Sequence, residues 1–196
     1  MELLENIQYK DVITISLILF AVIDILGSIP VILDVKAKSG HVDARQATIV
    51  SGIIMFTFLF IGNQILKLIG IDLASFSIAG SIVIFLIGLE MILNRDIFKS
   101  HGDPKTSTIV PIAFPLIAGA GTLTTLLSLR AEYELINIIL SVLINLIFIY
   151  IVIHFIPKIE KILGDGGIAV LRRVFGIILL SIAIKLFSKN LSILFV

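Results

Sequence analysis

Two short segments place polar, glycine and proline residues inside stretches that are otherwise apolar. The first contains Asp24, Gly27, Ser28 and Pro30. Gly27 weakens a helix, and Pro30 removes a backbone donor and so frees the carbonyl of Leu26. We therefore expect the helix to break directly after Asp24. A carboxylate beside unsatisfied backbone inside a membrane can bind a cation, carry a proton or receive an ammonium group.

The second segment, residues 110–128, contains two prolines and two glycines and cannot form a straight helix. We expect a helix, an unwound stretch over Gly119, Ala120 and Gly121, and then a second half-helix with free N-terminal amides. Such amides bind anions, for example a carboxylate group. The hydroxyl groups nearest to them in sequence belong to Thr122, Thr124 and Thr125.

Each segment also has a structural interpretation. Asp24 could cap the second half-helix or pair with another charge within the membrane, and glycine and threonine let helices approach closely. Two interrupted segments at equivalent places in the chain favour a binding site at the membrane midplane over packing alone.

The composition predicts that most of the chain lies in a membrane. Of its 196 residues, 58% are hydrophobic and 15% are charged, whereas soluble domains have about 25% charged residues. A net charge of +1 provides no basic arm for nucleic acid. The chain contains no cysteine, which excludes disulfides and thiolate catalysis. No metal-ligand spacing or catalytic motif is present, so we predict no enzyme activity, cofactor or metal.

Apolar stretches bounded by charges predict an all-α, polytopic membrane protein with six transmembrane helices, of which helices 1 and 4 are interrupted. Each stretch reaches about 30 Å or more as a helix. The stretches lie near residues 12–34, 46–66, 73–93, 108–129, 135–157 and 168–188.

The distribution of basic residues predicts the orientation. Ten of the Lys and Arg residues lie in the first, third and fifth connections, and five lie on the opposite side. Because cytoplasmic loops carry the positive excess, we expect these connections in the cytoplasm and both termini outside. We expect a multi-pass protein of the cell membrane, that is, the plasma or inner membrane.

The two halves of the chain show signs of an internal repeat. Residues 67–70 recur as residues 161–164 at an offset of 94, and at the same offset Gly27 falls on Gly121. In a chain so rich in Ile and Leu, such short matches between the two halves also arise by chance. A repeat with three spans forces the second copy upside down, as in many secondary transporters. The predicted units are residues 1–93 and 108–196, joined by a cytoplasmic linker at residues 94–107.

Several single residues carry weaker signals. Glu90, at the end of span three, is expected to reach the surface or to pair with Arg95. Arg172 and Arg173 are expected to anchor span six to lipid headgroups, with a counter-ion for Asp24 as the alternative role for one of them.

Two further residues are expected to hold neighbouring helices together. Asn145, inside span five, is expected to form an interhelical hydrogen bond. Gly80, on a face of small residues in span three, is expected to allow tight helix packing.

The two interrupted segments resemble those of the MarC family of integral membrane proteins, also called the small neutral amino acid transporter family. Its first-span motif, Asp/Asn-Pro-x-Gly-x-x-Pro, is matched by residues 24–30 with Ile25 in place of the first proline. Its fourth-span motif, Pro-Leu-x-Ala-Gly-Pro-Gly-x-Ile/Leu-x-Thr, is matched by residues 115–125 with Ala120 in place of proline. These replacements indicate a divergent member.

The resemblance implies a six-span carrier of small neutral amino acids, such as glycine and alanine, coupled to the proton gradient. Asp24 would be the proton-coupling or ammonium-binding group. Export of another small metabolite and a non-transporting structural or assembly role remain open, whereas a channel would need a filter sequence that the chain lacks. The predicted substrate-binding residues are Asp24, Gly27, Ser28, Gly119, Ala120, Gly121, Thr122, Thr124 and Thr125.

Overall fold

The computed structural model describes residues 7–93 and 108–194, and the regular structure in these two ranges is entirely helical. A single helical run, Leu135–Leu194, is divided at Gly164, whose backbone is non-helical. The predicted linker at residues 94–107 lies outside the described residues. The elements are α1 (Tyr9–Ile23), α2 (Ile29–Ser39), α3 (Ala44–Ile69), α4 (Leu73–Leu93), the proline segment (Thr108–Ile117), α5 (Ala120–Glu132), α6 (Leu135–Gly164) and α7 (Gly166–Ser192).

Four helices, α3, α4, α6 and α7, are long and apolar enough to cross a membrane. A fifth span results if the proline segment and Ala120–Arg130, which are bent by 45° relative to each other, are counted together. The prediction of an all-α membrane protein is confirmed. The first predicted span is divided into α1 and α2, with 15 and 11 residues, and each is too short to span alone.

Local capping explains where the long helices begin. The Asp43 carboxylate accepts hydrogen bonds from the backbone N–H groups of Arg45 and Gln46, at 2.8 and 3.1 Å, and starts α3. The Asp72 carboxylate accepts a 2.8 Å hydrogen bond from the Ser75 N–H and starts α4. That backbone hydrogen bond lowers the pKa of Asp72 from its ordinary value. A tight turn of three residues therefore joins α3 and α4.

Contacts between connections define two ends of the helix bundle. At one end the Asp43 N–H donates to Thr108 Oγ1 at 3.2 Å, and Lys36 forms an ion pair with Glu160. We call this the charged end. At the opposite end the Gln8 N–H donates to the side chain of an asparagine at the start of α6.

α1 and α6 lie side by side and run parallel. Three hydrogen bonds join residues that are all 129 positions apart, which fixes the register of the two helices. The predicted interhelical hydrogen bond of Asn145 is confirmed. The three bonds are Gln8 N–H to Asn137 Oδ1 at 3.2 Å, Ser141 Oγ to the Val12 carbonyl at 3.0 Å, and Asn145 Nδ2 to the Ser16 carbonyl at 3.2 Å.

Glycines allow α4 to approach two neighbouring helices. A Cβ atom on Gly88 would lie 3.0 Å from the carbonyl oxygen of Gly176 on α7. A Cβ atom on Gly80 would lie 2.4 Å from the Cβ of Ala120, the first residue of α5. The predicted tight packing at Gly80 is confirmed, and it holds α4 against the start of α5.

Candidate functional site

The first interruption is organised by Asp24. Its backbone adopts a left-handed conformation, with φ 45° and ψ 51°, and its N–H donates to the Phe20 carbonyl at 3.1 Å, which ends α1. Its Oδ1 accepts a 3.1 Å hydrogen bond from the Gly27 N–H. Aspartate and asparagine tolerate this conformation better than most residues. The predicted break after Asp24 is confirmed.

The start of α2 depends on the same residue. The Ser28 hydroxyl does not cap α2; it donates to the carbonyl oxygen of Asp24 at 2.9 Å, and the Ser28 N–H donates to the same oxygen at 3.0 Å. Pro30 lies in the first turn of α2, where its missing N–H costs nothing. The predicted site residues Asp24, Gly27 and Ser28 are therefore brought together as one turn.

The Asp24 side chain is nevertheless exposed on the surface of the helix bundle. It forms no ion pair with any residue that the structure describes. The alternative role of Arg172 as its counter-ion is wrong, because Arg172 pairs with Asp34. The turn uses Asp24 Oδ1 as an acceptor, which does not require a charge, so the negative charge is available for another purpose.

The second interruption follows the proline segment. That segment departs from helical geometry at Val110 and Phe114, the residues before its two prolines. Gly119 is extended, with φ −78° and ψ 175°, and α5 begins at Ala120 without a side-chain cap. A Cβ atom on Gly119 would lie 2.0 Å from the Pro115 carbonyl oxygen, so the backbone passes too closely for a larger residue. A second half-helix follows the break, as predicted, but the predicted unwound stretch over Gly119, Ala120 and Gly121 is wrong in extent, because Ala120 and Gly121 already belong to α5 and its first turn closes on the Gly119 carbonyl.

The threonine hydroxyls beside this break donate to nearby carbonyl groups. Thr122 Oγ1 donates to the Ile117 carbonyl at 2.8 Å. Thr124 and Thr125 both donate to the Gly121 carbonyl, at 3.0 and 2.8 Å. These hydroxyls support the broken backbone and keep their acceptor capacity. Their predicted contact with a substrate stays a prediction.

The two interruptions lie next to each other. A Cβ atom on Gly121 would lie 3.7 Å from Val22 Cγ1, two residues before Asp24. Around this contact, Ile23 and Ile25 share one buried core with Ile117. The structure therefore brings together the two segments singled out in the sequence.

A cluster of paired charges with two buried acids, at the charged end, was not predicted from the sequence. Asp34, on α2, is 4% exposed and forms ion pairs with Lys38 Nζ at 3.0 Å and with Arg172 on α7. Glu90, on α4, is also buried, and its Oε1 lies 2.5 Å from Lys38 Nζ. Glu90 thus pairs with Lys38 across helices, whereas Arg95 lies outside the described residues.

One sequence signal could have revealed this cluster. Asp34 and Lys38 are four residues apart, which places them on the same face of a helix. Asp34 also lies at the edge of an apolar stretch, where a charge that becomes buried must be paired. We name Asp34, Lys38, Glu90 and Arg172 the buried charge network after its two buried acids; the side chains of the two basic residues are partly exposed.

A cleft of about 320 Å³ lies beside the buried charge network. It is formed by α2, α4, α6 and α7, and it combines an apolar wall with one acidic and two basic residues. The lining residues are Leu33, Ala37, Met91, Glu160, Ile168, Ala169, Arg172 and Arg173.

Comparison with known proteins identifies the family. The model of the MarC family of integral membrane proteins matches residues 9–195. The chain belongs to the MarC family. This assignment confirms the resemblance carried by residues 24–30 and 115–125, and it establishes an integral membrane protein.

Relatives of this MarC chain occur in distant bacteria. A UPF0056 membrane protein of Buchnera aphidicola from Schizaphis graminum is 30% identical over 93% of this chain and 96% of its own length. The inner membrane protein YhgN of Escherichia coli K12 is 28% identical over 93% and 96%, respectively. The membrane protein YvbG of Bacillus subtilis is 28% identical over 96% and 97%. No solved structure matches.

The two positions at which this MarC chain lacks a family proline are both buried. Ile25 and Ala120 are each 2% exposed. Ala120 is the first residue of α5, a position where proline is favoured in helices, and its Cβ faces Gly80. The break at Gly119 therefore forms without a proline at the start of α5.

Proposed function

We propose that this MarC chain is a secondary active transporter rather than an enzyme, and that it carries small neutral amino acids of the glycine and alanine type. The observation that carries the proposal is the proximity of Gly121 to Val22, which juxtaposes two interrupted helices. Secondary transporters hold substrates near the membrane midplane between discontinuous helices of this kind.

The chemistry of the two interruptions suits a zwitterion. The first-turn amides of α5, at Ala120, Gly121 and Thr122, have no side-chain cap and receive the substrate carboxylate. The exposed carboxylate of Asp24 receives the ammonium group or the coupling proton. One interruption thus offers a negative charge and the other offers N–H donors.

We further propose six spans arranged as two inverted repeats. In this arrangement α1 and α2 form the first span, and the proline segment and α5 form the fourth. Exchanging the halves converts the contact of the first span with α6 into a contact of the fourth span with α3. The contact of the first span with α6 consists of the three hydrogen bonds described above. The fourth span also contacts α3: Ser51 Oγ lies 3.4 Å from the Ala113 carbonyl, and a Cβ on Gly62 would lie 3.1 Å from Leu127 Cδ2.

Substrate exchange in reconstituted vesicles tests the proposal. Vesicles containing the purified protein and unlabelled alanine are placed in a solution of labelled alanine, and label uptake is followed without any ion gradient. A transporter exchanges the internal alanine for label. Vesicles that contain folded protein and take up no more label than protein-free vesicles would favour export of another metabolite or a structural role.

A further inference from the structure

The cleft at the charged end has no role in the site between the two interruptions. It adjoins α2 about ten residues beyond Asp24, which corresponds to about 15 Å along a helix, or half the apolar thickness of a membrane. Its volume of about 320 Å³ lies within the range of about 300–1,000 Å³ that is usual for small-molecule sites. The cleft is therefore separate from the site between the two interruptions and is large enough for a small solute.

Among the residues that the structure describes, one basic residue of the cleft lining lies outside the ion pairs. In the buried charge network, the two acids Asp34 and Glu90 balance Lys38 and Arg172. Lys36 balances Glu160. Arg173 lines the cleft and has no acidic partner among the residues that the structure describes.

Glu160 keeps hydrogen-bonding capacity despite its ion pair. Lys36 Nζ contacts its Oε2, which leaves Oε1 as an acceptor. The Glu160 side chain is 36% exposed, so a solute in the cleft can reach it. The cleft therefore contains a guanidinium group and a carboxylate together with the apolar side chains of Leu33, Met91 and Ile168.

We propose that this cleft is a second binding site for a small zwitterion. The inference rests on the proposed function, because the ligand is the same class of substrate. Arg173 binds the carboxylate group, Glu160 binds the ammonium group, and the apolar wall contacts the side chain. Asp34 is a positioning residue, since it holds the adjacent Arg172 and thereby fixes the first turns of α7 against α2.

Chemical protection of a single cysteine detects occupancy of the cleft directly. The chain contains no cysteine, so Ala169→Cys introduces one thiol into an exposed position of the cleft lining. The purified protein in detergent is treated with a maleimide in the presence of alanine, propionate or ethylamine. At tenfold the dissociation constant, alanine occupies about 90% of the sites and slows labelling about tenfold. Propionate and ethylamine, which each carry one of the two charges, protect far less.

Matched variants assign the protection to the proposed groups. In the Ala169→Cys background, Arg173→Gln and Glu160→Gln are expected to remove protection by alanine. Lys161→Gln removes an exposed charge next to Glu160 that does not line the cleft, and protection is retained. Thermal melting confirms that each variant is folded. If Glu160→Gln is unstable, Arg173→Gln alone tests the assignment, because Arg173 is exposed and its replacement is expected to leave the fold intact. A cysteine at Ser181, exposed elsewhere on α7, is labelled equally with and without alanine.

The outcomes separate this inference from the proposed function. Protection that Arg173→Gln abolishes supports the second site. Equal protection by propionate and alanine would overturn the zwitterion assignment and leave an anion site. A protein that exchanges alanine in vesicles but shows no protection in the cleft would overturn the second site and leave the transporter intact. The absence of both exchange and protection would overturn both.

Discussion

Arg172, in the second turn of α7, forms an ion pair with Asp34 on α2, and this pair attaches the second half of the interrupted first span to the last helix. Asp34 is buried and is also bound by Lys38, which in turn binds Glu90 on α4. Removing charges from water is costly, so such a network persists when every charge is paired. The network fixes the position of α2 relative to α4 and α7.

The first prediction concerns the stability of this network. Asp34→Ala removes the buried carboxylate that binds Lys38 and Arg172, and we expect a loss of about 1–3 kcal/mol in the free energy of unfolding, the usual range for hydrogen bonds to charged groups. Thermal or denaturant unfolding in detergent measures the loss. Lys189→Ala, at an exposed position on α7, is the control and is expected to change stability by less than about 0.5 kcal/mol. If Asp34→Ala unfolds like the parent protein, the pair does not hold α2 in place.

The double variant Asp34→Leu, Arg172→Leu refines that measurement. Replacing both partners by apolar residues leaves no uncompensated charge, so its cost is expected to be smaller than the sum of the single replacements. Strict additivity would show that the two side chains are energetically independent.

The second prediction separates substrate contact from packing. A methyl group on Gly121 meets Val22 Cγ1 at an ordinary distance of 3.7 Å, so Gly121→Ala is expected to preserve stability. The methyl group lies in the first turn of α5, where it obstructs the substrate carboxylate, and we expect alanine exchange to fall at least about tenfold, or 1.4 kcal/mol.

Gly80→Ala is the matched control for Gly121→Ala. Its methyl group would lie 2.4 Å from the Cβ of Ala120. Such overpacking typically costs about 1–3 kcal/mol, so the expected effect is on stability. Normal exchange by a stable Gly121→Ala protein would exclude the α5 amides as the carboxylate site.

The interruptions could be predicted from sequence because their causes are local. Proline removes a backbone donor and restricts the residue before it, so Pro30, Pro111 and Pro115 disrupt helical hydrogen bonding whatever surrounds them. The expectation that the two breaks form one site followed from their equivalent places in the chain, and the contact of Gly121 with Val22 places them next to each other.

The buried charge network could not be predicted in the same way. Asp34 and Arg172 are distant in sequence, and no local pattern selects one partner over another. Helix packing brings Lys38 to Glu90 and Asp34 to Arg172, and neither pairing was expected; the expected pairing of Glu90 with Arg95 stays a prediction. The tertiary arrangement decides which charges are buried, and it also creates the cleft.

The third prediction concerns the role of Asp24 in the backbone turn. Asp24→Asn retains an oxygen that accepts from the Gly27 N–H, and asparagine tolerates the left-handed backbone. We therefore expect unchanged thermal stability. Asp24→Ala loses the acceptor and is expected to be less stable by about 1 kcal/mol. Equal losses in both variants would show that the negative charge itself stabilises the turn.

The fourth prediction concerns orientation. Single cysteines at Ser39, Gly166 and Ser100 are expected to escape a membrane-impermeant maleimide added outside intact cells, because the basic connections face the cytoplasm. Ser100 lies outside the described residues. A cysteine at Ile71, in the exposed turn between α3 and α4, is the control and is expected to react. Reaction of the first three sites and protection of the fourth would reverse the orientation.

The most direct test of the transporter proposal is accumulation of labelled alanine or glycine in vesicles under an imposed pH gradient. The native protein is expected to accumulate label above the external concentration, and dissipating the gradient is expected to abolish the accumulation. Asp24→Asn, which keeps the turn but loses the charge, is predicted to remain folded and to lose gradient-driven accumulation. Full accumulation by Asp24→Asn would remove Asp24 from the coupling step, and no accumulation of either amino acid by folded native protein would contradict proton-coupled transport of small neutral amino acids.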